Sequence, residues 1–277
     1  MQARNVLVSL FLGLAVSSGA QAGSVNSMGT VDLRYLNTSP AGFATIHRPG
    51  SSADETVWTG QYNLELDPSY TAHSPADATN LLYDAATNYV IGTFCCDVRE
   101  DAPAGSAYVP YSIVMPEFGP LGVGNTAMGA KADDLRRLFY RYGGIWQDGL
   151  GDDNLEAAAF ELCVWEIVFE TDSNYSVSPG AGAFYATATY TTSWAPTSAC
   201  DLANGWLADV QNNPGAVPDI PLYVLANNGM QDYAIVIPGA GGDGPRPLAE
   251  APEPLTMLGL IMGAGGVACY IRKRQLA

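Results

Sequence analysis

Four glutamates in the apolar segment Leu155–Glu170 are the first residues whose spacing indicates chemistry. At about 100° per residue in a helix, Glu156, Glu166 and Glu170 share one arc and are predicted to face water. Glu161 lies roughly opposite them and is predicted to point inward. Because an unpaired buried charge is costly, this carboxyl needs a raised pKa or a partner, either backbone groups or a buried Arg.

Other reactive groups are sparse. The chain has two histidines, His47 and His73, and their spacing matches neither a zinc site nor a Ser-His-Asp triad. Paired carboxylates such as Glu161 and Glu166 would suit a secreted glycan hydrolase, but about 140° separates them on one helix. Since they cannot flank one glycosidic bond, we predict no enzyme, no metal site and no cofactor, and glycan hydrolysis stays an alternative.

The elements that must position Glu161 belong to a mainly β (α+β) pattern. Short β-like runs alternate with turn clusters, which predicts an antiparallel β-sandwich or barrel. The turn clusters lie at residues 37–40, 48–50 and 67–69. The runs with strand character are Thr30–Tyr35, Thr56–Leu66, Tyr89–Val98, Ala107–Met115, Phe184–Trp194, Leu222–Leu225 and Tyr233–Ile237.

Helical character interrupts the β pattern twice in succession, which predicts an inserted helical pair. The first helix is predicted over Lys131–Tyr142. The second is predicted over Leu155–Glu170, with Asn154 as its N-cap residue. A further short helix is predicted over Ala203–Gln211.

Both ends of the chain have the composition of sorting signals. At the start, Arg4 precedes the largely apolar run Val6–Val16, and Ala20-Gln21-Ala22 is a small-x-small cleavage site. The apolar run, about 11 residues, is shorter than the roughly 20 that a membrane helix needs. Residues 1–22 are therefore predicted to be a secretory signal peptide that is cleaved after Ala22.

The C-terminal end combines a short polar motif, an apolar segment and a basic tail. Residues 239–251 are predicted to be a linker, and Leu255–Ile271 a transmembrane helix with its tail in the cytoplasm. Everything before Pro252 then lies outside the cytoplasm. The polar motif is Pro252, Glu253 and Pro254, and the basic tail is Arg272, Lys273 and Arg274.

This order of motifs in residues 252–277 resembles the PEP-CTERM sorting signal of Gram-negative bacteria. The resemblance implies that exosortase, a membrane transpeptidase, recognises the signal and removes the tail. It implies delivery to the cell surface or the exopolysaccharide matrix, with transient membrane contact through the C-terminal segment. Residues 23–238 would then be the extracellular domain.

The domain between the two signals is strongly acidic. The whole chain has a net charge of −16, and removal of Arg4 and the three basic residues of the tail leaves 8 basic against 28 acidic residues. Such a surface repels nucleic acid and anionic lipid. It suits a protein that stays soluble outside the cell, among cations or neutral glycans such as an exopolysaccharide or surface glycan.

A second resemblance covers roughly residues 56–170. The motifs that carry it are Trp58-Thr59-Gly60-Gln61-Tyr62, Phe94-Cys95-Cys96-Asp97 and Ala157–Ile167. They are similar to the thioester domain of bacterial surface adhesins, in which a strand Cys and a Gln in an Ala-rich helix form an internal thioester. The bond can capture a nucleophile on a host molecule. The resemblance implies that Cys95 takes the Cys position and Glu161 the Gln position.

Glu161 departs from the family pattern. A Gln side chain can lose ammonia to a thiolate, whereas an ionised carboxylate is a poor acyl donor and would have to lose water. We therefore predict an exported, exosortase-sorted surface or exopolysaccharide-matrix protein with a structural or adhesive role and a degenerate thioester-like pair. Capture of a partner nucleophile through a Cys95–Glu161 bond is the alternative.

The remaining cysteines are candidates for a disulfide, because an exported protein lives where disulfides persist. Cys96 should point to the strand face opposite Cys95, and Cys163 lies about 160° around the helix from Glu161. With Cys95 set aside, Cys163 and Cys200 are the favoured bonded pair, although sequence alone does not fix the pairing.

Deleting Leu255–Ala277 is expected to release the protein into the medium or periplasm, because the apolar span and basic tail are its predicted retention signal. Immunoblots of medium, periplasmic and surface fractions measure the shift, with the full-length chain as control. Unchanged surface retention of the truncated chain would contradict the prediction.

Overall fold

The computed structural model describes residues 27–70, 78–103, 105–121, 126–147, 152–171, 174–188 and 198–237. The β-strands in these ranges are β1 Ser27–His47, β2 Glu55–Leu66, β3 Val90–Cys95, β4 Val109–Val114, β5 Pro120–Leu121, β6 Thr126–Ala127, β7 Tyr185–Ala188, β8 Leu222–Ala226 and β9 Tyr233–Val236. The α-helices are α1 Ala78–Ala85, α2 Lys131–Tyr142, α3 Asp153–Phe169 and α4 Ala199–Asn212.

Seven strands form one antiparallel sheet, in the order β2-β3-β9-β8-β4-β1-β7. Because β1 also pairs with β2, the pairings of six strands close into a ring. The closure depends on the length of β1: residues 27–33 pair with β4, residues 33–46 pair with β2, and residues 44–47 pair with β7. The predicted mainly β, antiparallel architecture is confirmed, and the closed ring has the connectivity of a barrel.

The predicted turn at residues 37–40 is wrong, because the chain runs through it as part of β1. The register against β2 shifts at two points within residues 35–41, and such bulges bend a strand without ending it. Opposite the second bulge, Gly60 has a φ of 147°, and a Cβ there would lie 2.4 Å from the carbonyl oxygen of Pro40. Only glycine fits at this crossing.

The predicted inserted helical pair is present as α2 and α3, between β6 and β7. α2 has the predicted bounds, and α3 begins at Asp153. The predicted N-cap at Asn154 is wrong, because the side chain of Asp152 accepts the capping hydrogen bond from the backbone N–H of Leu155. Asn154 instead accepts a hydrogen bond from the backbone N–H of Ala41 at 3.0 Å, which ties the start of α3 to the bulged part of β1.

α3 is buried along nearly its whole length. It packs against β1, β2 and β3 on one side and against α2 and α4 on the other. The side chains of Glu161, Glu166 and Glu170 are all 0% exposed. The inward position of Glu161 is confirmed, but the predicted exposure of Glu166 and Glu170 is wrong, because a helix with protein on both sides has no face in water.

Two predicted elements near the end of the domain differ in extent. The strand predicted over Phe184–Trp194 is described as far as Ala188, where β7 ends, and its remainder lies outside the described residues. The helix predicted over Ala203–Gln211 is α4, which starts earlier because Ser198 and Asp201 form a capping box.

The predicted sorting signals lie outside the described residues. These are the signal peptide at 1–22, the linker at 239–251 and the PEP-CTERM-like segment at 252–277 with its transmembrane helix. Within the ranges that the structure describes, none of the helices has the length and apolar character needed to span a bilayer.

Candidate functional site

Cys95 and Glu161 meet in the core where β3 approaches α3. Cys95 is the last residue of β3 and pairs with Tyr233 of β9, and Glu161 lies in the middle of α3. Both side chains are 0% exposed. The backbone N–H of Cys95 faces the Glu161 carboxyl, whose charge would also act on the Cys95 thiol and raise its pKa. The structure therefore brings the two predicted site residues together.

The surroundings of Glu161 favour the neutral form of its carboxyl. Burial raises the pKa of its carboxyl well above the usual range, and the backbone N–H of Cys95 opposes only part of this shift. In the part of the chain that the structure describes, neither carboxyl oxygen has a hydrogen bond of normal geometry, and no Lys or Arg side chain is fully buried. The sequence left two kinds of partner open for this carboxyl, backbone groups or a buried Arg. The structure places the backbone N–H of Cys95 beside it.

The Cys95 thiol is also held in its protonated form. Burial raises its pKa well above the usual range, and the nearby Glu161 raises it further. The indole N–H of Trp165 and the backbone of Asp97 lie close to the sulfur and oppose the shift. Because the thiolate is the nucleophilic form of cysteine, a buried thiol in this state is inert at neutral pH.

Three tyrosines from different strands line the core next to Cys95. The ring centroid of Tyr233 lies 5.5 Å from that of Tyr62 and 6.0 Å from that of Tyr111. Burial raises the pKa of all three hydroxyls. The hydroxyl of Tyr233 donates to the side-chain oxygen of Gln231 at 3.3 Å. Burial thus favours the protonated form of the Cys95 thiol, the Glu161 carboxyl and the three tyrosine hydroxyls.

Sequence reasoning missed these tyrosines and the contact of Trp165 with Cys95. Trp165 follows Glu161 by four residues, and residues at that spacing share a helix face, so its position was available from the sequence. Tyr62, Tyr111 and Tyr233 lie on β2, β4 and β9. They meet because the six-stranded ring closes, and no local sequence pattern signals such a meeting.

Glu166 and Glu170 form a separate, structural cluster at the C-terminal end of α3. Glu166 accepts a hydrogen bond from the backbone N–H of Ser176 at 2.7 Å. The two carboxyl oxygens of Glu170 accept from the backbone N–H groups of Thr171, at 2.7 Å, and Ala183, at 2.8 Å. These bonds fasten the chain after α3 back onto the helix, which explains why both carboxyls are buried without facing Cys95.

Lys131, the first residue of α2, lies beside the C-terminal end of α3. Its ammonium donates to the backbone carbonyl of Val168 at 3.1 Å and to that of Glu170. A cation at a helix C-terminus satisfies carbonyls that have no partner within the helix. Burial lowers the pKa of Lys131, and the nearby Glu170 and Glu166 oppose that shift.

Cys163 lies on α3, and Cys200 lies on α4, which packs against α3. Cys163 is 0% exposed and its Sγ donates to the backbone carbonyl of Ala203 at 3.5 Å. The Sγ of Cys200 donates to the carbonyl of Ala186 at 3.4 Å. Burial raises the pKa of Cys163, and Cys200 is close enough to raise it further. The structure has both as thiols, and their disulfide stays a prediction.

In the ranges that the structure describes, no three His, Cys, Asp or Glu side chains are arranged so that they could hold a metal ion. His47 lies on the outer surface, where its Nδ1 and the Asp54 carboxylate are 3.0 Å apart. His73 lies outside the described residues.

The free energy of unfolding is expected to fall as pH rises from about 4 towards about 8. Burial raises the pKa of Glu166 to about 8 from 4.5, and that of Asp232 to about 8 from 3.8. The folded chain then binds more protons than the unfolded chain across this window, and loses roughly 1.4 kcal/mol for each unit of difference between the two pKa values. Glu166→Gln is expected to flatten the fall, measured by urea unfolding at closely spaced pH values.

Glu55→Gln, on the surface part of β2, is the matched control, because it removes a carboxylate whose side chain is 41% exposed. It is expected to displace the stability curve without flattening it. Asp232→Asn is an independent second variant and should flatten the curve as Glu166→Gln does. Equal slopes in the wild type and both buried-site variants would show that these carboxyls are not held protonated.

Peptide mapping under non-reducing conditions is expected to join Cys163 to Cys200 in the chain recovered from an oxidising compartment, because the two thiols lie on packed helices near each other. Cys95 is expected as a free thiol. The reduced and alkylated chain is the control. A bridge between Cys95 and Cys163 would contradict both the helix phase and the site.

Comparisons with known protein families, with curated proteins and with solved structures find no match for this chain. The resemblances of its C-terminal segment to a sorting signal and of residues 56–170 to a thioester domain stay predictions. The geometry around Cys95 and Glu161 carries the functional proposal.

Proposed function

We propose that this chain is an exported, exosortase-sorted surface or exopolysaccharide-matrix protein with a structural or adhesive role, and that it is not an enzyme. The terminal segments and the net charge of −16 support export and a soluble extracellular life. The observation that carries the structural role is the closed state of the candidate site. Cys95 and Glu161 are both 0% exposed, and burial favours the protonated form of each.

A closed site of this kind keeps its reactive groups away from a macromolecular partner. A macromolecular partner would have to bring its nucleophile to the Glu161 carbonyl carbon, which has no surface in contact with solvent and which only a small molecule can reach when the core opens transiently. Burial and the Glu161 carboxyl both raise the pKa of the Cys95 thiol, so the wild-type site holds little thiolate at neutral pH. The pair is therefore a buried contact between β3 and α3.

The carboxylic acid at position 161 also lacks a good leaving group. Formation of a thioester from Glu161 would join the Cys95 sulfur to the carboxyl carbon, break the C–O bond and release water that carries the thiol proton. The same step from a glutamine would release ammonia. Condensation with loss of water into an aqueous compartment is unfavourable, so the wild-type chain is expected to keep a separate thiol and acid.

Glycan hydrolysis gains no support from the positions of the buried glutamates. Glu161 faces Cys95, whereas Glu166 accepts a hydrogen bond from Ser176 at the other end of the helix. Both carboxyls are 0% exposed. A hydrolase needs its acid and base on opposite sides of one accessible bond.

Glu161→Gln is expected to give a chain lighter than its calculated mass by one ammonia, because the amide restores a leaving group beside the Cys95 thiol. The sulfur bonds to the side-chain carbonyl carbon, the C–N bond breaks, and the thiol proton leaves with the ammonia. Intact-mass spectrometry of the chain purified from its cells measures the loss. Methylamine should then open the bond and add its own mass, while the wild type should show neither change.

Two variants control this experiment. Glu166→Gln places an equally buried amide on the same helix, away from Cys95, and is expected to keep its full mass. Cys95→Ser combined with Glu161→Gln removes the sulfur and should also keep its full mass. A wild-type chain lighter by one water would favour the capture alternative. Full mass for a normally folded Glu161→Gln chain would remove the thioester-like interpretation.

A further inference from the structure

The outer surface of three neighbouring strands carries an aromatic and hydroxyl-rich patch that the buried site does not use. We propose that this patch, here called the aromatic face, binds a neutral glycan; the inference rests on the proposed surface or matrix role and names its partner class. The aromatic face consists of Phe43, Thr45 and His47 of β1, Thr56 and Trp58 of β2, and Tyr185 and Thr187 of β7.

Strand register places these side chains in cross-strand rows on one side of the sheet. Phe43 lies opposite Trp58, and Thr45 lies opposite Thr56 on one side and Thr187 on the other. Between them on β1, Ala44 and Ile46 are 1% exposed and point into the core. Because successive side chains of a strand alternate between faces, the residues between these core positions must face outward.

An exposed aromatic pair forms one end of the aromatic face. The ring centroids of Phe43 and Trp58 lie 3.7 Å apart, and the two side chains remain 42% and 50% exposed. Large aromatic side chains at this exposure on a sheet indicate a contact surface. A sugar ring presents C–H groups on its face, and these can pack against an indole plane without losing hydrogen bonds.

Next to this pair lie polar side chains that can form hydrogen bonds with sugar hydroxyls. The Thr45 and Thr56 hydroxyl oxygens lie 3.3 Å apart, and each can exchange a further hydrogen bond. At the far end, the rings of His47 and Tyr185 stack at 4.7 Å. The Asp54 carboxylate holds both of them, because it lies 3.0 Å from the His47 ring nitrogen and accepts from the Tyr185 hydroxyl at 3.3 Å. The Thr45 and His47 rows thus offer donors and acceptors beside the aromatic pair.

The charges around the aromatic face favour an uncharged glycan over an acidic one. Arg48, which follows His47 in the chain, is committed to an ion pair with Glu55 at 2.8 Å and donates to the carbonyl of Val98. Asp54 adds a carboxylate at the edge. With a net charge of −16 on the chain, a polyanionic glycan would be repelled, whereas a neutral one would not.

Affinity electrophoresis of the full-length chain in native gels tests the inference directly. Gels contain hydroxyethyl cellulose, galactomannan or dextran as neutral probes, and alginate as the anionic probe. Retardation is expected with at least one neutral probe and not with alginate. Trp58→Ala is expected to weaken the apparent affinity about tenfold or more, as loss of a stacked aromatic surface does, and Trp58→Phe is expected to retain part of it.

Tyr140→Ala is the matched control, because Tyr140 is 42% exposed on α2, which packs against α3 and α4. It should leave retardation unchanged. No retardation with any neutral probe, retardation with alginate alone, or equal retardation of wild type and Trp58→Ala would each overturn the inference. A change of oligomeric state in Trp58→Ala, without a change in glycan affinity, would assign the aromatic face to a second copy of the chain and overturn it as well.

The result of the glycan-binding experiment can be distinguished from the results that test the proposed function. Glycan binding is measured on purified protein, whereas surface delivery is measured in cells and the closed site by mass. Loss of binding with normal delivery would reject the glycan partner alone. Binding by a chain that never reaches the surface would reject the proposed location and keep the aromatic face as a binding surface.

Discussion

The burial of α3 on all sides is the constraint from which the rest of the core follows. The helix lies between β1, β2 and β3 on one side and α2 and α4 on the other, so each polar side chain on it must find a partner within the protein or give up its charge. Its three buried glutamates differ in their surroundings. Glu170 accepts hydrogen bonds from two backbone N–H groups, while burial raises the pKa of Glu161 beside the backbone of Cys95. Glu166 lies between these cases, with one donor and a pKa raised to about 8.

The burial of this helix also explains why the Cys95 thiol beside Glu161 is a poor nucleophile. Nucleophilic catalysis by cysteine requires a thiolate, which is stabilised by nearby cations, helix N-termini or metals. The Cys95 sulfur instead has a buried acid, an indole and three tyrosines around it. The same low-dielectric surroundings that keep Glu161 neutral keep Cys95 protonated, so one physical cause accounts for both. A glutamine at position 161 would bring no charge at any pH, which makes that single atom change the informative perturbation of the site.

Local sequence patterns predicted the elements well where a local cause determines them. α2 begins and ends where predicted, and Glu161 points inward as the helix phase requires. The burial of Glu166 and Glu170 could not be predicted from the helical periodicity, because that argument assumes that one face of the helix contacts solvent. Whether α3 has such a face depends on elements that lie far from it along the chain. The N-cap moved from Asn154 to Asp152 because both types cap equally well and tertiary contact with Ala41 decided between them. Residues 37–40 have turn chemistry, but long-range pairing of β1 with β2 turned them into a bulge.

The strand β1 connects the two sides of the protein on which function is proposed. Its inward residues Ala44 and Ile46 pack into the core, and its outward residues between and beside them form the aromatic face. The bulged part of the same strand is bonded to Asn154 at the start of α3. A ligand on the aromatic face would therefore bind to a part of the sheet whose inner side packs against α3. Rigid support lowers the ordering cost of binding, because the aromatic side chains need not be immobilised when the ligand arrives. The packing around α3 thus buries the Cys95–Glu161 pair and supports the outer face of β1 at the same time.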